Sequence, residues 1–193
     1  MNITIKPVID NKDKQYTYAI LIDKLNKSLD AGFYFESLFL EYAMMEDRLR
    51  SILCHGNIAK SKKSENPDVP ETRDEIIKIY NLIFDTNKER KDFRLNEIKQ
   101  KIEIVEALIR WSNKDIESEN QIQEDLKMKF IDLELYLPFF EDVKKWCTYR
   151  NHLIHAIFDK NMDSVNEELV SRVQDGKEYA IELSNLAGKI KNR

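Results

Sequence analysis

The stretch FFEDVKKWCTYRNHLIHAIF, residues 139–158, decides how the chain is read. With Arg150 set at zero and ~100° turned per residue, Phe139, Val143, Trp146, Cys147, Leu153, Ile154, Ile157 and Phe158 fall within roughly 80° of it. An apolar face of that width with polar residues opposite predicts an amphipathic helix buried on one side. A helix of this kind needs partners, and the flanking sequence supplies them.

Upstream, Ile122, Leu126, Phe130, Leu133 and Leu137 repeat at helical spacing until Pro138, which cannot continue a helix and predicts a kink or a restart. Residues 93–111 carry Leu95, Ile98, Ile102, Val105 and Ile109 at 3-4 spacing, the pattern of a helix packed along its length. The most apolar segment is 33–55, FYFESLFLEYAMMEDRLRSILCH, closed by Gly56 in the manner of a C-cap. Before it, Tyr18, Ile22, Leu25 and Leu29 mark a helix over 14–29, set off by Gly32 and preceded by a short β-prone start at Ile3, Ile5 and Val8. The basic, Pro-containing run 56–72 is expected as an exposed loop. Thr72 and Glu75 have the spacing of a capping box opening a helix through Ile76, Ile79, Tyr80 and Ile83. Polar breaks at 85–92 and 112–121, and again from Asn161 to Ser164, lead to a last helix over 165–190.

With 42% hydrophobic and 34% charged residues but four Gly and four Pro in 193, the chain is too apolar for disorder and too poor in breakers for an all-β fold. No internal repeat is evident. The expectation is an all-α chain, one up-and-down-like bundle of about six to seven helices in a single domain over residues 1–193. Thirty-one basic against 35 acidic residues leave a net charge of −4, so any anion site must be local. Cys54 and Cys147 lack the spacing of a disulfide framework or zinc ribbon. MNITIKPVID carries no basic n-region followed by an apolar h-region, and no apolar run approaches the ~18 residues of a membrane span, so a cytoplasmic protein with no membrane partner is expected.

Polar residues on apolar stripes mark the places to look for function. Arg150 is at the centre of its stripe, where an isolated charge must be paired or must face an interface or a cavity. Asn151 and His155, at i and i+4, border the stripe, whereas His152 projects toward solvent. On the 33–55 helix, Glu46 falls between Phe39, Tyr42 and Leu53, and two pairings remain open for it: Arg150 on the other helix, or Arg50 one turn on. Lys144 and Lys145 are either phosphate contacts or part of a solvated face. No metal is expected, since His152 and His155 lack a third convergent ligand.

The string from Trp146 to His155, with Arg150, polar Asn151 and a His after four intervening residues, resembles the signature of the HEPN superfamily of all-α domains. A second Arg-to-His spacing, Arg50 to His55, has its His turned off the apolar stripe and is read as coincidental. The resemblance implies a metal-independent, cofactor-free endoribonuclease for single-stranded RNA that acts as a homodimer, with Arg150, His155 and Asn151 catalytic and Glu46 and His152 supporting. An imidazole can move the proton of a ribose 2′-hydroxyl or of the leaving 5′-oxygen, and a guanidinium can hold the phosphate, giving a 2′,3′-cyclic phosphate. Many members are toxins or phage-defence components with an antitoxin or a nucleotidyltransferase partner. One toxin branch carries Tyr two positions after the His, where this chain has Ile157. Other members are non-catalytic modules that bind a nucleotide or a partner. The residues alone also fit a helical interaction protein in which Arg150 is structural.

Overall fold

The computed structural model describes residues 12–58, 74–93, 95, 97–156 and 162–193, without the side chains of 155, 156, 162–164, 166 and 167. Ile3, Ile5, Val8, Thr72, Ile157, Phe158 and Asn161 lie outside the described residues, as does most of the 56–72 run. Among the described residues the chain is helical, with no strand. The helices are α1 (Lys12–Asp30), α2 (Tyr34–His55), α3 (Asp74–Phe84), α4 (Ile98–Ser112), α5 (Gln121–Phe130), α6 (Tyr136–Ala156) and α7 (Met162–Lys191), with a 3-10 turn at Arg90–Asp92 before α4. No helix of the described residues is long and apolar enough to cross a membrane.

Several helix ends follow from residue chemistry. Gly32, at φ 74°, makes the left-handed turn between α1 and α2 that a Cβ would disfavour. Gly56 does not have that role after α2, because the left-handed residue there is Asn57 at φ 56°. Gly56 and Ile58, expected in an exposed loop, are buried. The upstream helix expected to run to Leu137 ends at Phe130, and Pro138 makes no break of its own: it is the third residue of α6, where a missing N–H costs nothing. The helix expected from residue 93 begins at Ile98, because Leu95 takes φ 48° with its N–H on Gln100 Oε1 at 2.6 Å. Asn120 caps α5 by accepting from the Gln123 N–H at 3.1 Å.

The chain divides into two compact units, and the division falls inside three helices. Unit one holds α1, α2 through Arg48, α6 from Lys145 and α7 through Gly188. Its core includes Leu25, Leu38, Met45, Trp146, Leu169 and Leu183. The Ser28 and Ser37 hydroxyls join α1 to α2 at 2.7 Å. The Trp146 indole donates to the Arg172 carbonyl of α7 at 2.7 Å, satisfying the only polar atom of a buried ring. Gly176 admits that ring: a Cβ there would fall 2.6 Å from Trp146 Cζ2.

Unit two runs from Leu49 to Lys144 and takes in Lys189–Arg193. In it α4 packs against both α3 and α5. Ile102, Leu108, Trp111, Phe130 and Phe140 are buried, and Tyr80 meets Phe93 edge to face at 5.1 Å. Lys129 caps the C-terminal end of α2 through the His55 carbonyl at 2.9 Å.

Candidate functional site

Helix α6 carries Arg150 half-buried, and two rings of α2 hold its guanidinium. Its Cζ is 4.2 Å from the Tyr42 ring centroid and 4.9 Å from that of Phe39. Residues 39 and 42 are three apart on one helix, so they form neighbouring rungs that a planar guanidinium can cover together. Nε is buried in this cradle, while Nη1 donates to Asn151 Oδ1 at 3.1 Å on the exposed side. The group is thus oriented by aromatic faces and presents one edge outward. Asn151 and His152 are exposed. The backbone of His155 belongs to α6 one turn after Asn151, but its side chain lies outside the described residues.

Next to Arg150, Tyr149 stacks under Arg172 at 4.7 Å. Burial, and then the Glu168 carboxylate facing it, push the Tyr149 phenol up to about 12, so it stays protonated at neutral pH. Glu46 is half-buried. Lys145 is exposed. Lys144 belongs to unit two and is held by Glu106 at 3.1 Å and Glu141 at 2.5 Å. Burial pulls its pKa down, but the hydrogen bonds and charges of those two carboxylates together outweigh it and the net shift is upward. Arg50 is exposed and His55 half-buried, both in unit two. Among the described residues no three His, Cys, Asp or Glu side chains gather as a metal site would require.

The deepest charges of unit one are two that the sequence reading passed over. Glu41 is 0% and Arg48 1% exposed. Among the described residues neither Glu41 oxygen and none of the three Arg48 nitrogens has a hydrogen-bond partner. The Glu41 carboxyl and the Trp146 ring both approach Gly176, and burial pushes that carboxyl up to about 9, so that it is neutral at pH 7. Arg48 lies over the Tyr18 ring at 3.9 Å, and burial lowers its pKa. A signal for both was present in the sequence: Glu41 and Arg48 are seven apart, hence on one face of α2, beside Leu38, Met45 and Ile52. Phe39 drew the stripe the wrong way, since that ring is 49% exposed.

Neither the protein-family models, nor the curated proteins, nor the solved structures give a match to this chain.

Proposed function

We propose that the chain is a HEPN-type, metal-independent endoribonuclease for single-stranded RNA, acting as a homodimer with Arg150 and His155 as its catalytic residues and Asn151 beside them. One observation supports this above the others: the Arg150 guanidinium rests on Phe39 and Tyr42 with an outward edge shared with Asn151. Such a group is pre-oriented to take two phosphate oxygens and to stabilise charge developing on them. His155 lies one helical turn beyond Asn151 on α6, and an imidazole is a side chain able to give and take a proton near neutrality. In the reaction the ribose 2′-oxygen attacks phosphorus and its proton passes to a base. The 5′-oxygen leaves with a proton, giving a 2′,3′-cyclic phosphate and a 5′-hydroxyl. A role as a toxin or phage-defence component, with an antitoxin or nucleotidyltransferase partner, belongs to the same reading.

The test is purified protein on single-stranded RNA in excess EDTA, beside Arg150→Ala and His155→Ala. Cleavage in wild type, falling at least ~10²-fold in each variant, supports the assignment. Cleavage that EDTA abolishes would sink it. No cleavage, together with nucleotide binding that Arg150→Ala removes, would replace it with a non-catalytic binding module.

A further inference from the structure

We infer that Arg48 is the anchor of an interior oxyanion site in unit one, separate from Arg150, taking a carboxylate or phosphate group. The argument is one of charge and of donors. Asp47 is the acidic residue beside Arg48, and its oxygens are taken: Oδ1 by the Lys14 ammonium at 2.7 Å, Oδ2 by the Tyr18 hydroxyl at 2.5 Å. Lys14 and Arg48 against Asp47 leave the cluster with one net positive charge. A guanidinium stays charged at any ordinary pH and carries five N–H donors in a planar fork. Among the described residues none of the Arg48 nitrogens meets an acceptor, although the residue is 1% exposed. A buried charge left so is costly, and the fork matches two oxygens of an oxyanion in a bidentate pair.

The Tyr18 ring supports one face of the guanidinium, as stacking would require for a fixed fork. Access follows from the same contacts. Lys14 and Asp47 keep 28% and 27% of their side chains exposed, so the Tyr18 hydroxyl is tied to a half-open surface pair. Breaking that one hydrogen bond frees the ring that covers Arg48, and a local opening of α1 is the kind of low-cost fluctuation that admits a small ligand.

The experiment uses the full chain carrying Arg150→Ala, so that the proposed RNA site contributes no anion binding and each reading fails on its own. Sodium phosphate and sodium acetate are titrated by calorimetry and thermal melting against sodium chloride at matched ionic strength. A saturable signal for either oxyanion, with Tm rising by about 3–5 °C at ten times Kd, is expected. Arg48→Met should abolish it, which separates the site from the general stabilising effect of such salts. Asp47→Asn, near-isosteric at a position 27% exposed, removes the competing negative charge and should tighten binding about tenfold, with a circular-dichroism spectrum like that of wild type as the check on folding. The inference is overturned if both oxyanions behave as chloride does, if Arg48→Met binds as wild type, or if Asp47→Asn leaves the affinity unchanged or weaker.

Discussion

The two units treat buried charge in opposite ways. In unit two the charged groups on apolar faces have charged or hydroxyl partners: Glu106 with Lys144, Lys88 with Tyr80 and Glu103, Lys189 with the Tyr136 hydroxyl. In unit one Glu41 and Arg48 are more deeply buried and have no hydrogen-bonding partner among the described residues, and Arg150 rests on rings. A buried polar or charged group without a partner is a cost that packing must offset, and burial keeps Glu41 neutral for that reason, whereas a paired ion becomes most costly when one partner is removed. Unit two therefore reads as charge used for structure, and unit one as charge held for something else.

The largest expected effect is on pH dependence. Glu41 is raised to about 9 in the folded chain against an ordinary value near 4.5, so the native state binds the extra proton. Its contribution to stability is therefore whole below about pH 4.5 and is lost as pH rises toward 9, at no more than about 1.4 kcal/mol per pH unit. Denaturant melts of wild type and Glu41→Gln from pH 5 to 9 should show the slope in wild type and a flatter line in the variant. Parallel lines would mean that Glu41 finds a partner in solution, and the contrast between the units would weaken.

Next in size is a pair of matched substitutions. Lys144→Met leaves Glu106, whose side chain is 3% exposed, without its ammonium and should cost about 2–3 kcal/mol, the low end for a broken buried pair because Lys144 itself keeps 20% exposure. Arg48→Met removes a charge whose nitrogens have no hydrogen-bond partner among the described residues, and in chloride buffer should leave stability within about 1 kcal/mol of wild type or raise it. Equal losses in the two variants would erase the difference between the units.

Gly176→Ala comes third. Alanine gains about 1 kcal/mol of helix propensity over glycine, but its Cβ would be forced against Glu41 and Trp146, so a net loss of about 1–2 kcal/mol is expected. In a Glu41→Ala background that loss should shrink by at least about 0.5 kcal/mol, since one of the two obstacles is gone. A loss unchanged in that background would place the whole conflict on Trp146.

Much of this architecture was legible in the sequence, and its failures have physical causes. Helical periodicity marked α1, α2, α6 and α7 to within a few residues, because each buries a continuous stripe. Residues 93–97 continue the apolar spacing of α4, and Phe93 and Leu95 are indeed buried, but burial does not require helix, and the Gln100 side chain serves the Leu95 N–H instead. The centre of the α6 stripe was placed on Arg150, which the structure shows half-buried there. On α2 the centre was displaced toward the aromatics, so Glu46 was singled out while Glu41, at 0% exposure, was missed. Hydropathy weights a large ring heavily, yet Phe39 is half-exposed beneath a guanidinium from another helix, a contact that no single-helix pattern encodes.

The smallest effect tests that contact. Phe39→Leu and Tyr42→Leu each remove a ring under Arg150, and at so exposed a position a cation–π contact is worth about 0.5–1 kcal/mol. Folding stability should fall by no more than that in either variant, whereas in unit two Lys88, over the Tyr80 ring at 4.5 Å, is also held by the Tyr80 hydroxyl and the Glu103 carboxylate. Lys88 keeps a carboxylate within 3.8 Å to fix its position. Arg150 would keep Asn151 on its own helix, which moves with it and fixes nothing relative to α2. Losing both rings should therefore loosen the Arg150 side chain far more than it unfolds the chain. In the EDTA cleavage assay the double Leu variant should fall by at least about tenfold while its melting temperature drops only a few degrees. Cleavage that merely tracks the change in stability would reduce the aromatic cradle to ordinary packing and remove the observation on which the ribonuclease reading chiefly rests.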